Sequence, residues 1–176
     1  MIKFLLLFVF ILQVQAGEQT YKRSLFGTWT DPDRNCFDTR HDVLRQRSLV
    51  TVTFEKKKSR CRVLTGKWND FYYDEVITDA QKTDIDHVVP LKHAFEIGAS
   101  EWTTEKRKNF ATDPENLVIT NRSYNRTKGA KTILQWMPVN KSYACKYIAK
   151  WVAIKKKYEL LIDQKELDYI SMLKCE

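Results

Sequence analysis

Four cysteines limit what this chain can fold into, because of what precedes them. They are Cys36, Cys61, Cys145 and Cys175. The first sixteen residues carry Lys3, then the apolar run FLLLFVFIL, and end in Val14-Gln15-Ala16. A positive start, a short apolar stretch and small residues before a cleavage point describe a secretory signal peptide over residues 1–16. The run is too short for an ordinary membrane span, so no stable membrane insertion is expected after its removal. Export, to the periplasm or the exterior, puts the cysteines in an oxidising compartment, where an even count predicts two disulfides. No Cys-x-x-Cys pair occurs, which argues against a zinc ribbon. Three pairings are open. The local one, Cys36–Cys61 with Cys145–Cys175, closes two loops of similar size, each stabilising the fold by roughly 3 kcal/mol on the chain-entropy model.

The remaining chain, residues 17–176, is long enough for one domain with its own core and short for two. Aromatic residues make up 12% of the sequence and hydrophobic ones 43%, which excludes a disordered chain. The formal charge of +8 suits a polyanionic partner: nucleic acid, anionic lipid or a wall polymer. Charge alone does not choose among them, and solubility explains it as well.

Hydrophobic periodicity places the elements. TRHDVLRQR predicts a short helix. LVTVTFE (49–55) alternates as a strand, and CRVLTGKW (61–68) makes a hairpin with it across the polar tip KKKSR. NDFYYDE reads as a turn. IDHVVPL is a third β-run, stopped by Pro90. Residues 92–111 read mostly as helix, with Ser100 or Thr103 as a cap and Asp113-Pro114 as the end. ENLVIT (115–120) is a short strand, and NRSYNRTKGAK (121–131) enters a helix. From about Ser142, the residues Tyr143, Tyr147, Trp151, Ile154 and Tyr158 recur at spacings of three and four, which makes one apolar helix stripe. The lysines at 146, 150, 155, 156 and 157 lie mainly off that stripe and are expected to face solvent. ELDYISMLKC is a short terminal helix.

The order of polar residues carries the chemistry. Asp86-His87 ends a β-run, Asn116 opens the next strand, and Asn125 lies at the start of a basic helix. Strand, strand and helix carrying Asp-His, Asn and Asn resemble the HNH endonucleases, the ββα-metal or His-metal finger group. The fuller pattern, DIDHVVPL, ENL, N..KG.K and W.P, with NCFDTRHDVL and CKYIAKWVAIKKKYEL on its flanks, is similar to small secreted HNH nucleases. Those are related to the C-terminal domain of modification-dependent restriction enzymes. The likeness runs from about residue 29 to 175. It implies an α+β fold, with a ββα-metal core braced by an N-terminal β-hairpin and C-terminal helices.

Elementary chemistry asks for the same residue types. Hydrolysing a phosphodiester needs a nucleophile generated near neutral pH, neutralised phosphoryl oxygens and a stabilised leaving oxygen. An imidazole titrates near working pH, which suits His87 as general base. A carboxylate and an amide oxygen are hard ligands, so Asp86 and Asn125 could hold a divalent cation and leave most of its positions to water and phosphate. Neighbours on a regular strand point to opposite faces, so Asp86 and His87 converge on one phosphate only if the strand end twists or bulges. The resemblance implies the roles directly: His87 the base, Asp86 and Asn125 the metal ligands, Asn116 the residue that fixes the loop carrying His87. The family often has His where this chain has Asn125, a change that favours magnesium, with manganese as the alternative. Lys128 and Arg126 would sit by the phosphate. Arg122 and Arg40 are further cations for nucleic acid, and Asp84 either supports the fold or orients the site. His41 and His93 are expected to be structural.

The expected function is therefore metal-dependent hydrolysis of nucleic acid outside the cytoplasm, DNA before RNA, by a monomer of low sequence specificity. A basic polyanion-binding protein without catalysis is the competing class. Asn121, Asn125 and Asn140 each begin an N-glycosylation sequon. A glycan on Asn125 would block the metal site, so the nuclease function requires that sequon to be unused.

Overall fold

Two-residue side-chain alternation and short polar tips produce antiparallel pairs here. A computed structural model describes residues 19–175, and the expected signal peptide lies outside the described residues. Helix α1 (Thr39–Gln46) is capped by Asp38 and precedes a three-stranded antiparallel sheet in the order β1 (Thr53–Lys57), β2 (Arg60–Asp70) and β3 (Glu75–Asp79). A separate two-stranded antiparallel sheet joins β4 (Thr83–His87) to β5 (Leu117–Asn121). Between these two strands lie α2 (Leu91–Glu96) and α3 (Thr104–Thr112). Helix α4 (Arg122–Lys128) follows β5, and α5 (Lys141–Lys157) and α6 (Gln164–Met172) close the chain. The architecture is α+β, and β4, β5 and α4 are the two strands and helix of the expected core.

Three boundaries differ from the sequence expectation, each for a physical reason. The first strand begins at Thr53 and not at Leu49. The turn at Lys58-Ser59 sets Lys57 opposite Arg60, and the ladder reaches only Thr53–Thr65 before β2 becomes irregular between Thr65 and Trp68. Gly66 lies in that irregular stretch. A Cβ there would come within 2.5 Å of the Trp68 ring. Strand β3 was not expected at all, because its exposed residues conceal the alternation: only Ile77 is buried. The helix expected over 92–111 is two helices. Gly98 takes φ 137, a conformation L side chains rarely adopt, and Thr103 starts α3 by accepting from the Lys106 N–H.

The apolar stripe of α5 is buried as its spacing requires: Tyr143, Tyr147, Trp151, Ile154 and Tyr158 join α2, α3 and Tyr72 in the larger core cluster. A second cluster packs α1 against β2, β4 and β5 through Leu44, Val63, Trp68, Ile85 and Leu117. Lys155 departs from its expected solvent exposure. It is fully buried and ion-paired with Glu166 of α6. The disulfides are the local pair, Cys36–Cys61 and Cys145–Cys175. The first ties the chain before α1 to β2, and the second ties α5 to the C-terminal segment.

One buried carboxylate locks the β4–β5–α4 unit to the larger sheet. Asp70, at the end of β2, accepts from the Tyr72 N–H, the Thr120 hydroxyl and the Asn121 N–H. It therefore fixes both the end of β5 and the entry to α4. Asn121 then caps α4 by accepting from the Ser123 N–H.

Candidate active site

The ladder between β4 and β5 is regular to its end, with Asp86 opposite Val118 and His87 opposite Leu117. No bulge turns the strand. Asp86 and His87 instead take different partners, and both border one cleft at the open end of the strand. The cleft has a volume of about 630 Å³, and Asn125, Arg122 and Arg126 of α4 also line it. Arg40 of α1 reaches it too.

His87 is held on three sides. Its Nε2 lies 2.8 Å from the Ala111 carbonyl oxygen, so Nε2 carries the proton and Nδ1 keeps its lone pair. The Trp29 indole lies parallel to the imidazole, with centroids 5.8 Å apart and planes 2° apart. The strand end beneath it is pinned by Asn116, which is fully buried. The Asn116 side-chain oxygen accepts from the Val89 N–H at 2.9 Å, and its backbone carbonyl accepts from the Val88 N–H at 2.8 Å. Burial is the main force lowering the His87 pKa to about 3, with the charge of Arg23 adding to it. Burial therefore favours the neutral imidazole.

Asp86 is nearly buried and accepts from the Tyr72 hydroxyl at 2.8 Å. The Lys128 ammonium lies 2.9 Å from the same oxygen, Oδ2, and also donates to Oδ1 and to the His87 carbonyl oxygen. Burial raises the Asp86 pKa, and the neighbouring ammonium acts against that rise. Asp84, two residues earlier on the same strand face, accepts from the Asn125 side-chain amide at 3.2 Å and pairs with Arg122 at 3.6 Å. The amide nitrogen of Asn125 is thereby engaged, and its oxygen is left as the acceptor.

Lys128 is not where the sequence expectation put it. It has no exposed surface, and its ammonium points inward to Asp86 rather than out to a phosphate. Helical geometry gives the reason. Arg122, Asn125, Arg126 and Gly129 recur at spacings of three, one and three and share the cleft-facing side, whereas Lys128 falls on the flank against the core. Arg122 and Arg126 are exposed on the cleft side. Arg40 is anchored, its Nη2 donating to the carbonyls of Ala80 and Thr83, each at 3.0 Å. His41 accepts from the Val63 N–H, and His93 stacks on Trp151, so neither reaches the cleft.

Sequence reasoning missed Tyr72, Trp29 and Arg23. Tyr72 sits in a turn and gave no periodic signal. Trp29 and Arg23 precede α1 and are remote in sequence from every other site residue.

The residues available for a cation are few but chemically suited. Among the described residues no group of three or more His, Cys, Asp and Glu side chains is placed to hold a metal ion. A carboxylate offers about four lone-pair positions. Tyr72 and Lys128 engage both Asp86 oxygens without filling their lone pairs, and the Asn125 oxygen is a second hard donor, so the donor types suit a hard cation, although the Lys128 ammonium beside Asp86 would oppose its charge.

Residues 38–171 match the family model of the GmrSD restriction endonucleases, C-terminal domain. An uncharacterized secreted protein of Arthroderma benhamiae is 33% identical over 161 residues, covering 90% of this chain and 76% of that protein. No solved structure matches. A match over three quarters of the sequence, spanning β4, β5 and α4 with their polar residues, shows that the chain belongs to the GmrSD restriction endonuclease C-terminal domain family.

Proposed function

We propose that this protein hydrolyses phosphodiester bonds of nucleic acid outside the cytoplasm, using a divalent cation and with little sequence preference. The observation that carries this reading is the state of His87. It is a neutral imidazole whose Nε2 is tied to a backbone carbonyl, and it borders the same arginine-lined cleft as Asp86 and Asn125. A neutral ring with a free Nδ1 can accept a proton from an attacking water without first losing one of its own; the burial that favours neutrality also weakens it as a base, so that water would have to be acidified by a bound cation. General-base action of this kind contributes about 10²–10⁴-fold.

Each remaining residue supports that step. Asn116 holds the backbone just beyond His87, so the ring returns to one place. Asp86 and Asn125 would hold the cation, magnesium before manganese, which would neutralise phosphoryl charge and orient the phosphate. Lys128 opposes the rise that burial imposes on the Asp86 pKa, and Asp84 turns the Asn125 amide so that its oxygen is available. Arg40, Arg122 and Arg126 give the cleft a salt-sensitive attraction for any phosphate chain. The family's description as restriction endonucleases supports DNA as the substrate. The relative described as secreted and the two disulfides support action outside the cell. Among the described residues no helix is long and apolar enough to cross a membrane.

The test is a cleavage panel on duplex DNA, single-stranded DNA and RNA, each with magnesium, with manganese and with excess chelator. Chelator-sensitive cuts within duplex DNA are expected. Nucleic acid bound but left intact under every metal condition would instead establish a non-catalytic polyanion-binding protein.

A further inference from the structure

The family match begins at residue 38, yet one wall of the cleft is built from residues before it: Tyr21, Arg23 and Trp29. This N-terminal arm is firmly seated. Phe26 is buried against Phe110, the Arg107 Nε donates to the Leu25 carbonyl, and Thr39 donates to the Thr30 carbonyl through both its N–H and its hydroxyl. Seating the arm brings Trp29 parallel to His87, within the range of offset stacking. The Arg23 guanidinium carbon lies 5.8 Å from the Trp29 ring centroid. Among the described residues Arg23 has no carboxylate partner, unlike Arg122 and Arg45.

We propose that Arg23 contacts the phosphate on which His87 acts, and that Trp29 is the platform that positions both side chains. The proposal rests on the nuclease reading and extends the site beyond the family-matched region. A guanidinium with no carboxylate partner among the described residues, at the rim of this cleft, offers a planar fork suited to two phosphoryl oxygens. It faces the cleft from the arm, while Arg122 and Arg126 face it from α4, so a phosphate between them is held from two sides. Trp29 fixes the guanidinium by cation–π contact and the imidazole by stacking. Arg23 is thus a catalytic residue by contact, and Trp29 is a positioning residue.

The experiment compares the full mature chain with Arg23→Gln, Arg23→Lys, Trp29→Phe and Trp29→Ala on one fluorescent DNA duplex. Thermal melts confirm folding. Arg23→Gln is expected to lower kcat at least about tenfold, as loss of a charge-stabilising donor does, and Arg23→Lys is expected to recover part of it. Trp29→Phe is expected to keep most of kcat, and Trp29→Ala to lose it with little change in KM. Binding is measured in parallel in a His87→Ala background, where Arg23→Gln should reduce the salt dependence of affinity by about one phosphate contact. If the parent chain cleaves and Arg23→Gln cleaves and binds as the parent does, the proposal is overturned. If the parent cleaves nothing, the nuclease reading fails, and the salt dependence alone decides: an unchanged slope overturns the contact and a reduced one supports it.

Discussion

Replacing Lys128 with Met separates two roles that this lysine could have. The structure gives it a buried one. Its ammonium has no exposed surface, and the Asp86 side chain it faces retains only 7% of its exposure. Methionine fills a similar volume beside Trp136 and removes the charge. Breaking a buried ion pair by deleting one partner costs about 3–5 kcal/mol, because the other charge is stranded. Asp86 keeps its hydrogen bond from Tyr72 and borders the cleft, which places the cost near the lower end, about 3 kcal/mol. For a chain of this size that corresponds to a melting temperature lower by about 6–12 °C. The pH dependence has a definite sign. Without the ammonium, which acts to lower it, the Asp86 pKa rises further, so the folded variant takes up a proton more readily. The destabilisation is therefore largest at high pH and shrinks as pH falls. Calorimetry at several pH values measures this, and the salt dependence of duplex binding is measured beside it. An unchanged melting temperature together with a salt slope reduced by about one would refute the buried role and restore Lys128 as a phosphate contact.

Other expectations follow from the same contacts. Asn116→Ala leaves the buried Val89 N–H unpaired, at about 1–3 kcal/mol; kcat should fall in steady-state cleavage while duplex affinity holds. Between pH 6.5 and about 4 the unfolded chain binds protons at His93 that the folded chain refuses, since burial and the Lys155 charge lower its folded pKa to about 4. Stability therefore declines as pH falls through that window, and His93→Phe, which retains the stack on Trp151, should flatten the decline without abolishing it, because His87 contributes in the same way. Cys36→Ser/Cys61→Ser and Cys145→Ser/Cys175→Ser open loops spanning 25 and 30 residues. Each double variant should lose about 3.5 kcal/mol in denaturant melts, since the entropy of closure depends only weakly on loop length.

What could be read before folding was what is local or ordered along the chain. The α5 stripe showed itself by spacing, and its five residues are all buried. Asp86, His87, Asn116 and Asn125 stood out because their order and surroundings formed a pattern, although no spacing could show how Asp86 and His87 share a cleft without a bulge. The misses depend on tertiary context. Strand β3 has one buried residue and so leaves little alternation to detect. Lys128 looked like a surface cation because nothing local reveals that the flank of a seven-residue helix faces the core. Lys155 was misread for the same reason, since its partner Glu166 lies on another helix. Trp29, 58 positions before His87 in the chain, reaches it only because Phe26 and Thr30 are seated elsewhere.

The central claim is that His87 is the base of a phosphodiesterase, and one paired measurement addresses it most directly. Wild-type protein and His87→Ala are incubated with a DNA duplex and magnesium, and their cleavage rates and duplex affinities are determined side by side. The structure predicts a rate lower by about 10²–10⁴-fold in the variant, with affinity unchanged because the arginines of the cleft remain. Equal cleavage by the two proteins would contradict the account.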